Sequence, residues 1–152
     1  MYLVEIDGQH AEVAFARKEE KQGTGYRGFV VEYGRKVTLE EDLYRRDTTI
    51  NSMAMELPSG EIFDFYGGRS DVEHGIIRPV SHHFVEDPVR ALRAARQAAE
   101  FNFALAEETK AAIRVLAQKR DSLRFLYDDC RLESQRLAAY AQAREAGKSF
   151  FL

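Results

Sequence analysis

Arg90, Arg93 and Arg96 recur at intervals of three directly after Glu86-Asp87-Pro88. On a helix that spacing makes a ridge that winds slowly round the axis, so three positive charges share one broad face. Glu86 and Asp87 would stand at the helix start, where carboxylates favour the positive end of the dipole. An Asp and an Arg three apart also offer acceptor and donor edges that a base could meet. A second cluster, Arg45-Arg46-Asp47-Thr48-Thr49-Ile50-Asn51, sets two arginines beside a carboxylate. A guanidinium fork suits phosphate oxygens, while the aspartate either accepts from a ribose hydroxyl or fixes an arginine. Both clusters have a plainer reading as solvated helix ends with surface ion pairs. The residues alone leave phosphate or nucleotide binding and that plainer reading both open.

The elements that must position these groups change character along the chain. Tyr2, Val4 and Ile6 alternate with Leu3, Glu5 and Asp7, Asp7-Gly8 marks a turn, and Ala11 to Ala16 makes a second strand, together a hairpin. Lys18 to Arg27 has the composition of a mobile loop around Gly23-Thr24-Gly25, before Gly28 to Tyr33 resumes an extended pattern. Thr38-Leu39-Glu40-Glu41 has the form of a capping box and predicts a short helix through Leu43 and Tyr44. Pro58-Ser59-Gly60 predicts a turn, Glu61 to Tyr66 a strand, Gly67-Gly68 a break and Ile76 to Val80 a last short strand. From Pro88 the period becomes helical, with Val89, Leu92, Ala95, Ala99 and Phe103 as the apolar face and Asn102-Phe103 as the end. Further helices are predicted from Glu107 to Gln118 and from Leu123 to Ala146, with Gly147 as a stop.

Composition bounds what this can be. The 152 residues suit one ordinary domain or a piece of a larger protein, and 45% hydrophobic residues are enough to bury a core. No apolar run approaches the ~20 residues of a membrane span, and no signal peptide opens the chain, so a soluble, cytoplasmic protein is expected. The one cysteine, Cys130, has no disulfide partner in the chain and reads as an apolar filler. His10, His74, His82 and His83 lack metal-ligand spacing, and His82-His83 is expected to face solvent. Net charge is −3, which excludes an evidently basic nucleic-acid binder, but it is unevenly spread. Residues 1–85 carry 10 basic and 15 acidic side chains, and residues 86–152 carry 12 and 10. That leaves room for a phosphate-bearing ligand.

Four ordered blocks then carry a resemblance. They are Leu39 to Ala54 around Arg45-Arg46-Asp47-Thr48-Thr49-Ile50-Asn51, Gly60 to Gly68, Ile77-Arg78-Pro79-Val80, and Phe84 to Arg96. In order and spacing the chain resembles the bacterial tRNA nucleotidyltransferases, the class II CCA-adding enzymes, and the related poly(A) polymerases. The resemblance implies an α+β fold: the C-terminal part of a nucleotidyltransferase palm over residues 1–85, with three to five short strands in a mixed or antiparallel sheet and one or two helices. A helical neck follows over residues 86–152, carrying nucleotide recognition and RNA binding.

The activity it implies is attack of an RNA 3′-hydroxyl on the α-phosphate of ATP or CTP, with tRNA as acceptor and pyrophosphate leaving. It implies that Arg45, Arg46, Asp47 and Asn51 hold the ribose and triphosphate. Glu86, Asp87 and Arg90 would pair with the edge of cytosine or adenine, and Arg93 and Arg96 would contact the nucleotide from the same helix. Glu12 falls at a third acidic position of the active site, and Lys18 to Gly28 resembles the loop associated with switching from C to A addition.

Mg²⁺ is the implied cofactor, two ions held by carboxylates. In the family an Asp-x-Asp pair and a Gly-Gly turn precede the segment matching Ala11, whereas Met1 stands ten residues before it. Glu5-Ile6-Asp7 imitates the pair on one strand face, but no Gly-Gly turn precedes it. The expectation is therefore that this chain holds no metal ligands and is inactive alone. The leading reading is the middle section of a CCA-adding enzyme; the others are a non-catalytic nucleotide- or RNA-binding module, either a subunit that needs a separate N-terminal catalytic polypeptide or a remnant, and a poly(A) polymerase fragment. Unpaired palm edges would favour a homo-oligomer. Three positions depart from the family pattern: Thr48 for a large apolar residue, Gln97 for an aromatic one and Glu100 for an arginine. Each is expected to loosen packing where palm meets neck.

Overall fold

The computed structural model of the chain describes residues 2–6, 8–21 and 29–118, with single helical positions at 131, 134, 135, 137–139 and 142. Most of the helix expected over Leu123–Ala146, together with Cys130 and the Gly23–Gly28 part of the expected loop, lies outside the described residues. The chain packs as two units, Met1–Arg45 and Arg46–Leu152. This division falls earlier than the one read from the sequence at residues 85 and 86. The reason is local: the segment after Arg46 packs with the helices that follow it.

In the first unit, β1 (Tyr2–Ile6) and β2 (Gln9–Val13) form the expected antiparallel hairpin, with Ile6 opposite Gln9. Gly8 takes φ 77° in the turn, a left-handed conformation open to glycine at little cost. The second strand begins and ends earlier than Ala11–Ala16. β3 (Arg17–Lys21) pairs antiparallel with β4 (Phe29–Tyr33), so Lys18–Lys21 is strand where the sequence predicts loop. A charged strand is possible here because its ladder to β4 supplies the order that its own side chains do not. The strand is also tied at its start, where the Arg17 N–H donates to the Asp42 carboxylate at 3.0 Å.

Helix α1 (Leu39–Tyr44) starts as expected. The Glu41 N–H donates to Thr38 Oγ1 at 3.2 Å and the Thr38 N–H donates to Glu41 Oε2 at 2.9 Å, a complete capping box. Thr38 also holds the Glu41 carboxyl below its ordinary value through these hydrogen bonds. Leu43, 3% exposed, is the helix's buried apolar residue.

The second unit opens with a 3-10 turn over Thr49–Asn51, then β5 (Met53–Met55) antiparallel to β6 (Ile62–Asp64). A helix not read from the sequence follows, α2 (Gly68–His74), where Gly67-Gly68 suggests only a break. Gly67 does break the chain, at φ 77°. The helix forms immediately after because Asp64 accepts from the Gly68 N–H at 2.8 Å and the Arg69 N–H at 2.9 Å, satisfying free helix-start amides from across the turn. Gly68 itself is required by space, since a Cβ there would press into the Thr49 carbonyl oxygen and lie 2.8 Å from Met53 Cγ.

β7 (Ile76–Ile77) leads through a 3-10 turn at His82–Glu86 into α3 (Val89–Phe101). Asn102 ends α3 at φ 56°, and β8 (Ala104–Leu105) returns parallel to β7 before α4 (Glu107–Gln118), whose bounds are those expected. The described residues thus hold four two-stranded ladders, and seven strands before residue 86 where three to five are expected.

Ile77, Phe84, Ala94 and Leu116 form the core, with Ile50, Ala91, Ala98, Phe103 and Ile113 packed around them. This corrects the expected face of α3. Val89 is buried, but the stripe against the core is Ala91, Ala94 and Ala98 rather than Leu92, Ala95 and Ala99. An alanine-rich helix carries two small-residue stripes of similar hydropathy, and only the packing of β7, β8 and α4 chooses between them. The choice rotates Arg93 and Gln97 toward the chain at Asp47.

Candidate nucleotide-binding site

Asp47 is the centre of the site. Its side chain is 5% exposed, and among the described residues donors from Thr48, Asn51, Arg93 and Gln97 reach its carboxylate. The Thr48 N–H and Asn51 Nδ2 donate to Oδ1 at 2.9 and 3.3 Å. Arg93 Nε and Gln97 Nε2, one turn apart on α3, donate to Oδ2 at 2.7 and 3.4 Å. A carboxylate offers about four lone-pair positions, so this one is filled. Burial raises its pKa, but the Arg93 charge and the hydrogen bonds from Arg93, Thr48 and Asn51 outweigh that and hold it below its ordinary value. Asp47 thus holds an arginine here, one of the two roles open to it in the sequence.

Asp47 is placed by backbone. The Val80 N–H donates to the Asp47 carbonyl at 3.3 Å, the Thr49 N–H to the Arg78 carbonyl at 3.0 Å, and Thr48 bridges to Pro79. Thr49 in turn donates its hydroxyl to Asp71 at 2.7 Å, and Asp71 pairs with Arg78, which also pairs with Glu108 on α4. The Ile77–Val80 block therefore serves as the rail along which Asp47–Thr49 lies.

The second group sits at the start of α3. Asp87 Oδ1 accepts from the Val89 N–H at 2.9 Å, the structural role open to a carboxylate at a helix start, and Oδ2 lies 4.0 Å from Arg90 Nε. Arg90 also donates to the His83 carbonyl at 2.8 Å, and Glu86 pairs with His83 Nδ1 at 2.9 Å. His82 is exposed as expected, but His83 is half-buried in this contact, which corrects the expectation of a solvent-facing pair.

The three arginines are not a uniformly solvated ridge. The Arg90 and Arg96 side chains are 14% and 17% exposed, and Arg93 is 39% exposed. Arg96 is engaged by Glu100 at 2.7 Å, so the acidic residue that departs from the family pattern makes an ion pair on its own helix.

Thr48 and Gln97 are the residues that sequence reasoning undervalued. Each reads separately as a loss of packing. In the fold they meet: the Thr48 hydroxyl donates to Gln97 Oε1 at 2.8 Å, with Thr48 0% and Gln97 2% exposed. The available signal was helical spacing, since Gln97 lies four residues after Arg93 and a buried amide needs partners.

Other expected site residues lie elsewhere. Arg46 is exposed on the second unit. Arg45 belongs to the first unit, where its guanidinium donates to the Arg17 carbonyl at 3.0 Å, Glu19 at 3.3 Å and Asp42 at 2.9 Å. Glu12 stands exposed on β2, opposite Leu3. Among the described residues, no three His, Cys, Asp or Glu side chains gather closely enough to hold a metal ion. No helix of the described residues is long and apolar enough to cross a membrane.

Residues 2–78 match the family model of the Poly A polymerase head domain. The chain belongs to this family. Within it, the chain is 54% identical over 101 residues to the multifunctional CCA protein of Haemophilus ducreyi, covering 64% of this chain and 24% of that protein. It is 54% identical over 109 residues to the multifunctional CCA protein of Xanthomonas campestris pv. campestris, covering 70% and 27%. This head-domain chain therefore spans about a quarter of the length of those relatives. Among solved structures it is similar to the Bacillus stearothermophilus CCA-adding enzyme in complex with CTP. The identity is 34% and the TM-score 0.71, over 89% of this chain and 31% of that one. It is also similar to the Thermotoga maritima CCA-adding enzyme complexed with tRNA, at 31% identity and TM-score 0.57, over 90% and 32%.

Proposed function

We propose that the chain is the nucleotide-recognition part of a CCA-adding tRNA nucleotidyltransferase, taking CTP or ATP for addition to a tRNA 3′ end. The single observation that carries this is the Asp47–Arg93 pair: a nearly inaccessible carboxylate holds the most exposed arginine of α3 in place. Likeness to relatives named as CCA proteins and to an enzyme complexed with CTP supports the same reading and favours it over a poly(A) polymerase.

In this reading Arg93, oriented by Asp47, donates to the nucleotide, where a charged donor with fixed geometry suits phosphate or a base edge. Arg90 and Asp87 present donor and acceptor to the Watson–Crick edge of cytosine or adenine. Glu86 holds His83 behind them. Arg46 and Asn51 flank the ribose and triphosphate, Arg96 supports the helix through Glu100, and Arg45 steadies the end of α1. Among the described residues no three His, Cys, Asp or Glu side chains gather, so no step is assigned to metal within them. In this reading Mg²⁺ is held chiefly by carboxylates outside the described residues, with Glu12 as the acidic candidate among them.

The test is titration of the chain with CTP, ATP and UTP. Saturable binding of CTP and ATP, weakened at least tenfold in an Arg90→Ala plus Arg93→Ala variant, is the expected result. Absence of CTP binding at millimolar concentration would overturn the reading.

A further inference from the structure

We propose that Thr48 and Gln97 are positioning residues for Arg93, acting through Asp47, so that a buried hydroxyl–amide pair sets how the nucleotide-facing arginine is presented. The proposal rests on the nucleotide reading above.

The chain of donors has one direction. The Asp47 carboxylate only accepts, so the Gln97 amide must turn its NH₂ toward Oδ2 and its oxygen away. That oxygen points at Thr48, whose hydroxyl donates to it at 2.8 Å and so closes the far end. A flipped amide would set two acceptor oxygens against each other beside a buried negative charge. Thr48 thus locks Gln97, Gln97 and Arg93 share Oδ2, and Oδ1 is held by the Thr48 N–H and Asn51. Both α3 donors arrive on one oxygen and both donors from residues 48–51 on the other. The carboxylate therefore cannot rotate without breaking contacts on both sides, and Arg93 Nε is aimed by a group that does not move.

This arrangement explains how two polar residues come to be fully buried, with Thr48 0% and Gln97 2% exposed. An apolar pair of the same volume would fill the space without aiming the carboxylate. Stability and positioning therefore separate experimentally. In a Thr48→Val plus Gln97→Met variant both partners of the 2.8 Å hydrogen bond become apolar at similar volume, so neither is left unpaired, and the stability cost is confined to the long Gln97 contact to Asp47.

Two measurements on the full chain test this. In the free protein, the Arg93 Nε–H is expected to be protected from solvent exchange. That protection should fall about tenfold in Thr48→Val plus Gln97→Met, while Thr48→Ser, which keeps the hydroxyl, retains it. For CTP binding the double variant should lose about three- to tenfold in affinity, the worth of one ordinary hydrogen bond. In an Arg93→Ala background the same double change should have no effect, because there is no arginine left to aim.

A role in packing alone would reduce affinity equally in both backgrounds, and that result overturns the proposal. So does an Arg93 Nε–H that exchanges equally fast in the wild type and the double variant, whatever CTP does. If CTP does not bind the wild type while protection behaves as stated, the nucleotide reading fails, and with it the claim that the pair serves nucleotide.

Discussion

Replacing Asp47 by alanine tests the centre of the second unit directly. The change removes the acceptor from the Thr48, Asn51, Arg93 and Gln97 donors at once. Two of them belong to side chains able to turn toward water, Asn51 on an exposed residue and Arg93 at 39% exposure, so their loss is partly repaid by solvent. The other two cannot be repaid in this way, because Thr48 and Gln97 are 0% and 2% exposed. Each buried donor left without a partner costs about 1–3 kcal/mol. Breaking a wholly buried ion pair costs about 3–5 kcal/mol, and the exposure of Arg93 places this case at the low end. With the two buried donors at the low end of their range, the expected loss is no less than about 3 kcal/mol. Native-state hydrogen exchange of the Ala94 and Leu116 amides reads it, because both residues lie in the core beside α3. At ~1.4 kcal/mol per factor of ten, exchange should accelerate by at least about a hundredfold. Asp47→Asn, which keeps the shape and one acceptor but loses the charge, should accelerate it about tenfold. Exchange within threefold of the wild type in Asp47→Ala would refute the view that this carboxylate holds the turn at Thr49–Asn51 to α3.

Further outcomes follow from the same contacts. Because the folded pKa of Asp47 lies below its ordinary value of 3.8, its contribution to stability is fully present above that pH. It is lost as pH falls through the lower folded value, so a pH series of urea midpoints should show this loss only below about pH 4, and Asp47→Asn should remove it. Gly68→Ala should destabilise the second unit by about 1–3 kcal/mol, since the new methyl meets the Thr49 backbone carbonyl, which cannot swing aside as the neighbouring Met53 side chain can; an unchanged melting temperature would count against the close approach of α2 to Thr49. Phe84→Ala, at a position 1% exposed in the core, should cost about 3–5 kcal/mol in urea unfolding. Thr38→Ala should cost about 1 kcal/mol, seen as faster exchange of the Glu41 amide.

The pieces with short-range causes were legible in the sequence. The hairpin of β1 and β2, the capping box at Thr38, the helix after Pro88 and the helix over Glu107–Gln118 each depend on residues a few positions apart, and each forms. So were the chemical types of the candidate site, because arginine and carboxylate at helical spacing announce themselves without a fold. What the residues left open is what depends on distant partners. Lys18–Lys21 is strand only because β4 pairs with it, and α2 exists because Asp64 caps it from across Gly67.

Above all, the local sequence around Asp47 permits the carboxylate either a sugar hydroxyl or an arginine, and Thr48 and Gln97 stand 49 positions apart with no local reason to meet. Packing of α3 on β7 and α4 decides both. Once its alanine stripe is buried, Arg93 and Gln97 are turned onto one carboxylate oxygen, and a buried amide beside a buried charge has only one satisfied orientation. Residue type determined which groups could bind or pair; the tertiary structure decided which of them are spent on each other, because hydrogen-bond saturation is a property of position in space and not of order along the chain.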